Sequence, residues 1–181
     1  MRIISGKFGG RRINPPVKMP HTRPTTDIAK EGLFNILQNR IDFEDIKTLD
    51  LFGGTGCISY ELASRGAGKQ IIVEKDPQMH NFIETNLKTL GVTNAIVLRQ
   101  EVFQFLDGCR DSFDFIFAGP PYALGTIDEI PKIIVGNNLI AEDGYFVLEH
   151  TPRNNYEDYP GFSFSRNYGT TIFSFFERVE K

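Results

Sequence analysis

Apolar and polar positions change rhythm along this chain near residue 48. Before it, Ile28, Leu33, Phe34, Ile36 and Leu37 recur at helical spacing. The preceding Arg23-Pro24-Thr25-Thr26-Asp27 supplies the hydroxyl and carboxylate chemistry that starts a helix. From Thr48 onward short apolar runs alternate with amphipathic segments. Strands are predicted at 48–52, 70–74, 95–99, 113–118 and 145–149, with helices at about 58–64, 77–90, 103–106 and 127–135. The tail offers two β-rich runs, 162–164 and 170–178, with no helix between them. Alternating strands and helices imply a parallel α/β sheet covered on both faces, and the terminal pair adds an antiparallel edge.

The first residues follow a different pattern. Arg2-Ile3-Ile4 and Arg11-Arg12-Ile13 flank Gly6, Gly9 and Gly10, which reads as a short β-hairpin. Pro15, Pro16 and Pro20 then form an extended linker, so residues 1–22 read as an extension and 23–181 as the main domain. A length of 181 residues with 40% hydrophobic content suits one compact core. No run of about 18 apolar residues is present, and the amino terminus lacks the apolar core of a secretory signal. Cys57 and Cys109 stand apart and in no metal spacing, as expected of reduced thiols in a cytoplasmic protein. His21, His80 and His150 form no metal pattern either, so no metal is expected.

The net charge of −3 conceals an asymmetry. Residues 1–30 carry seven basic residues and one acid, which gives +6 against −9 for the remainder. A basic end on an acidic body points either to an anionic partner such as RNA, met through Arg2, Lys7, Arg11, Arg12 and Arg23, or to a merely solvated hairpin.

Two loops carry candidate chemistry. Leu49-Asp50-Leu51-Phe52-Gly53-Gly54-Thr55-Gly56 is a strand entering a glycine turn before a helix, where open sheets bind ligands. Ser59 stands where a dinucleotide fingerprint would place its third glycine, and Asp50 suits a cationic ligand better than a pyrophosphate. The alternative is a plain tight turn. Glu74 ends the next strand about twenty residues after the loop, where an acid can accept from both ribose hydroxyls. Glu101 follows the third strand and could meet an adenine edge, or be a solvated strand-end acid. The second loop, Gly119-Pro120-Pro121-Tyr122, closes the apolar run 113–118. Two prolines cannot continue a ladder, so they set a rigid shelf, and Tyr122 offers a face for a splayed nucleobase.

These residues also carry a likeness. The segments 3–7, 23–27, 33–37, 49–56, 120–122 and 168–171 resemble the RsmD family of bacterial small-subunit ribosomal RNA guanine methyltransferases, and the likeness spans nearly the whole chain. It implies a seven-stranded Rossmann-like methyltransferase fold with S-adenosylmethionine as donor. The partner it implies is small-subunit ribosomal RNA, on an assembled or assembling small subunit, methylated at a guanine's exocyclic amine. On this likeness Asp50, Gly53, Gly54 and Gly56 line the donor's methionine end, Glu74 holds the ribose and Glu101 sits near the adenine. Pro120 offers its carbonyl to the target amine and Tyr122 lies against the base.

One position departs from the pattern. The family's loop begins with Asp or Asn, whose side-chain oxygen accepts from the amine, whereas this chain has Gly119. Asp114 lies too far upstream to substitute. Impaired transfer is therefore expected. The alternatives are a non-catalytic RNA-binding or assembly factor, and an amino methyltransferase acting on DNA adenine or a protein amide.

Overall fold

The computed structural model describes residues 1–19 and 24–180. Arg23, one of the basic candidates, lies outside them. A seven-stranded sheet forms the centre, in the order β3-β2-β1-β4-β5-β7-β6. Its parallel strands are β1 (Thr48–Leu51), β2 (Gln70–Val73), β3 (Ala95–Leu98), β4 (Phe113–Ala118) and β5 (Ile140–His150). β7 (Thr171–Phe176) inserts antiparallel between β5 and β6 (Phe162–Tyr168), so both tail strands form and β6 is the edge. This is the mostly parallel sheet with an antiparallel edge that the alternation predicts.

Local chemistry explains the element ends. α1 (Asp27–Leu37) starts at Thr26, whose side chain accepts from the Ala29 amide at 3.2 Å. α3 (Pro77–Leu90) starts at Asp76 with Pro77 in its first turn, and ends at Gly91 with φ +77°. α2 (Cys57–Ser64) follows the glycine turn, α4 (Val102–Gly108) follows β3, and α5 (Glu129–Gly136) precedes β5. Two elements run longer than their apolar patterns. β5 begins at Ile140, through Glu142, Asp143 and Gly144, where a register shift against β4 admits polar residues. β6 continues through Ser165, Arg166 and Asn167, because an edge strand exposes them to water.

Helices cover both faces. On one, Ala29, Leu33, Phe34 and Leu37 of α1 and Ile58 and Leu62 of α2 pack with Phe115, Phe117, Val147, Phe173 and Phe175 of the sheet. On the other, Val102 and Leu106 of α4 and Ile130 and Ile134 of α5 pack with Leu49, Ile116, Phe146 and Leu148. Gly32 admits the carboxy-terminal strands to α1: an added Cβ would lie 2.3 Å from the Tyr168 ring.

The amino-terminal hairpin forms with one bridge, Arg2 to Arg12, rather than a regular ladder. Its backbone looks inward as well. Both Glu61 carboxylate oxygens accept amides from it, Ile4 at 2.8 Å and Ser5 at 3.1 Å. The Ser64 carbonyl accepts from the Lys7 amide at 2.7 Å and the Ser64 hydroxyl oxygen from the Phe8 amide at 2.8 Å. Ile3, Phe8 and Ile13 are buried against Tyr60, Ile83 and Leu87, and such burial stabilises by about 1.5–3 kcal/mol per large apolar side chain. Lys30, counted above with the basic end, is buried. Its Nζ donates to the Arg2 carbonyl at 2.6 Å and lies 3.5 Å from Glu61, which also holds Arg65 at 2.9 Å.

Glu61→Ala would leave the Lys30 ammonium buried without its counter-charge and two hairpin amides without acceptors. The expected loss is about 3–5 kcal/mol of stability, read by urea denaturation. A change under 1 kcal/mol would show that the hairpin is not anchored through this carboxylate.

Candidate active site

A cavity of about 610 Å³ opens at the carboxyl ends of β1, β2 and β4. That size suits a ligand of nucleoside dimensions. It collects Asp50, Gly53 and Gly54 of the first loop and Gly119, Pro120 and Pro121 of the second, together with Glu74 and Glu101, whereas Gly56 is not part of its lining and packs against the Tyr60 ring. The parallel register makes this meeting obligatory. Asp50 pairs across to Ile72 of β2 and to Phe117 of β4, so the ends of all three strands lie at one edge.

The turn after β1 is held in a conformation with positive φ at Phe52 (+62°), Gly54 (+59°) and Gly56 (+82°). For Phe52 this is a strained state that costs about 1–3 kcal/mol, and such strain gathers at ligand sites. Gly53 is required by packing, since a Cβ there would lie 2.7 Å from Ile72 Cγ2. The Gly54 amide donates to Glu74 Oε1 at 2.8 Å, and the Asp76 amide donates to Glu74 Oε2 at the same distance. Each oxygen retains a lone pair, so the carboxylate can still accept from two vicinal hydroxyls.

Asp50 is buried, and Ser59 Oγ donates to its Oδ2 at 2.7 Å. Serine thus stands in place of a third fingerprint glycine because its hydroxyl serves the acid. Burial raises the Asp50 carboxyl to about 7, the Ser59 hydrogen bond opposes the rise, and the nearby Glu74 charge adds a smaller increase. A cation bound beside it would favour the ionised form. Cys57 also lines the cavity, but burial pushes its thiol up to about 11, so it is no nucleophile at neutral pH. Glu101 caps α4, accepting from the Gln104 amide at 2.9 Å, and lines the cavity as well. Among the described residues no cluster of three potential metal ligands exists, and no helix is long and apolar enough to cross a membrane.

The second loop holds two findings. Tyr122 is not part of the cavity lining. Its hydroxyl donates to Glu149 Oε2 at 3.0 Å and lies 3.3 Å from Thr171 Oγ1, tying the shelf to the ends of β5 and β7. Gly119 lines the cavity, and an added Cβ would meet only the edge of the Phe117 ring, at 3.1 Å from Cε1, a contact that a small shift of the ring relieves. Asp114 stays at the far end of β4, where its Oδ2 accepts from the Lys47 amide at 2.9 Å. Arg2, Lys7, Arg11 and Arg12 are exposed on the hairpin. Lys7 and Arg11 both lie over the Phe8 ring, at 5.5 and 5.4 Å. Sequence reasoning missed Ser59, Thr25 and Glu149. Thr25 lines the cavity and its Oγ1 donates to Glu149 Oε1 at 2.5 Å.

Comparison with known proteins finds relatives over nearly the whole chain. The family model described as "Conserved hypothetical protein 95" matches residues 1–177. The ribosomal RNA small subunit methyltransferase D of Escherichia coli (strain K12) is 31% identical over 160 residues, covering 88% of this chain and 79% of that protein. YlbH of Bacillus subtilis (strain 168) is 36% identical over 154 residues, with 83% and 82% covered. Among solved structures, yhhF of Escherichia coli superposes with a TM-score of 0.84 at 26% identity, covering 100% of this chain and 99% of the other.

Asp50 makes stability depend on pH in a defined direction. Between its ordinary value of 3.8 and about 7 the folded chain holds a proton that the unfolded chain has released. This group's contribution is therefore full below pH 3.8 and is lost as pH rises to about 7. Asp50→Asn should flatten the fall in stability over that window, measured by urea denaturation of the ligand-free protein at a series of pH values. An unaltered slope would mean that Asp50 titrates as an ordinary surface acid.

Proposed function

The chain belongs to the family of the ribosomal RNA small subunit methyltransferases D, and on that premise we propose its reaction and its substrate. It transfers a methyl group from S-adenosylmethionine to the exocyclic amine of a guanine in small-subunit ribosomal RNA. The observation that carries this reading is a single cavity with Glu74 at one end and the Gly119-Pro120-Pro121 loop at the other. One end fits a nucleoside ribose, and the other is a rigid carbonyl-bearing edge suited to a planar amine.

The residues present fit the donor. Glu74 would hold the ribose hydroxyls, Glu101 would stand by the adenine, and Asp50 with Gly53 and Gly54 would face the cationic methionine end, while Gly56 shapes the turn that carries them. When bound, the donor supplies an electrophilic methyl group on a sulfonium centre. The chain's own contribution is to bind, orient and exclude water. Pro120 offers a carbonyl oxygen as acceptor for one amine N–H, and the ring of Pro121 confines Pro120 to an extended ψ, which fixes where that oxygen points. Holding the amine in place converts a bimolecular encounter into a positioned one, which is the main source of rate in a site without an evident general base. The exposed Arg2, Lys7, Arg11 and Arg12 offer phosphate contacts, and Glu61 and Ser64 fix them rigidly to the domain that bears the cavity. The assembled or assembling small subunit is the substrate form this arrangement suits, in the cytoplasm.

Gly119 favours one second reading, a protein that binds donor and RNA without transferring the methyl. The two readings share the donor site. Calorimetry should show saturable binding of S-adenosylhomocysteine by the wild-type chain, weakened about tenfold or more by Glu74→Ala, the scale expected from losing hydrogen bonds to a charged acceptor. A wild-type chain that binds no donor at millimolar concentration would contradict both readings. Equal affinity in the variant would remove Glu74 from the ribose.

A further inference from the structure

The amine of guanine carries two N–H groups, and Pro120 offers one acceptor. The side chain that supplies a second in the resembling family is absent at Gly119, where only the edge of the Phe117 ring stands close to the missing Cβ. The neighbouring strand brings other oxygen-bearing side chains to the same cavity. β4 and β5 are parallel, with Phe117 opposite Val147 and Ala118 opposite Leu148, which places Glu149 beside Gly119. Phe117 and Val147 share one core, so by the two-residue alternation of strands Gly119 and Glu149 belong to that same face of the sheet. Glu149 is 3% exposed and both its carboxyl oxygens accept hydrogen bonds, Oε1 from Thr25 Oγ1 at 2.5 Å and Oε2 from the Tyr122 hydroxyl at 3.0 Å. Thr25 in turn lines the cavity together with Gly119 and Pro120.

We propose that the Thr25 hydroxyl, oriented by Glu149, is the second acceptor for the target amine. This rests on the methyl-transfer reading above and names a substrate-contacting residue for it. A hydroxyl that gives its only proton to a carboxyl oxygen keeps two lone pairs, and that donation strengthens it as an acceptor. The direction of the bond matters. With its proton committed to Glu149, Thr25 presents lone pairs rather than a competing donor to an N–H group. The position is fixed from both sides, because the next residue, Thr26, caps α1 and Glu149 is held in the sheet. Glu149 acts through Thr25 and is a positioning residue. Tyr122 ties the same carboxyl to the Pro-Pro loop, so the two acceptors move as one body.

The test measures methyl transfer to small subunits lacking the modification, with S-adenosylhomocysteine affinity and thermal melting as controls. Thr25→Val keeps the shape and removes the oxygen. Its kcat should fall about three- to thirteenfold, the equivalent of one net hydrogen bond, with donor affinity and the KM for subunits little changed. Thr25→Ser should recover most of that loss, since it restores the hydroxyl alone. In a Gly119→Asp background the valine substitution should cost about twofold or less, because the carboxylate then supplies a second acceptor to the amine from the cavity wall. If valine lowers the melting temperature, Thr25→Ala is read the same way against Thr25→Ser. Wild-type kcat in Thr25→Val, or an equal loss with and without Asp at 119, overturns the proposal while leaving methyl transfer intact. A wild-type chain that binds donor and subunits yet transfers no methyl overturns the transfer reading itself, and this acceptor role with it.

Discussion

Two backbone amides converge on the Glu74 carboxylate, Gly54 N–H from the turn after β1 and Asp76 N–H from the start of α3. These bonds lock the glycine turn against the end of β2, so the cavity wall does not depend on a ligand to form. The parallel register then does the rest. Because β1 lies between β2 and β4, whatever shapes the end of β1 lies between Glu74 and the Pro-Pro loop. A site at the carboxyl edge of such a sheet follows from the strand order, with α2 and α3 leading away from it.

A second constraint fixes the amino-terminal hairpin and its exposed basic side chains. The amino-terminal hairpin shares a core with α2 and α3, and its amides are taken by Glu61 and Ser64. Exposed arginines on a loose arm would lose entropy on meeting RNA. Arginines on a hairpin stitched to α2 keep a fixed relation to the cavity that α2 helps to wall. The buried Lys30 belongs to this stitching rather than to the exposed basic set. The basic count of the first thirty residues thus divides between surface charge and internal anchoring.

Much of this was legible wherever chemistry is local. The helix 77–90 and the strand 113–118 were placed to the residue, because Asp76-Pro77, Gly91 and Gly119-Pro120 are unambiguous stops. β5 was read from Tyr145, and the structure carries it back to Ile140 across an irregular stretch, with Asp143 at φ +63°, that the register shift against β4 accommodates. The two site loops and the acid after β2 were visible for the same local reason. The Thr25–Glu149–Tyr122 cluster was not. Its hydroxyl and carboxyl stand 124 residues apart, and nothing short of strand register brings them together. The inward role of Lys30 was hidden likewise, since a lysine in a basic segment reads as solvated until Glu61 is found beside it.

The central claim is that this cavity presents a guanine amine to a methyl donor even with glycine at 119. Incubating the wild-type chain and S-adenosylmethionine carrying a labelled methyl with small subunits that lack the modification tests it most directly. The RNA is then digested to nucleosides and analysed by mass spectrometry. The label should appear on the exocyclic amine of guanosine from small-subunit RNA. Label on adenosine or on ribosomal protein, or no label in a chain that binds the donor, would contradict it.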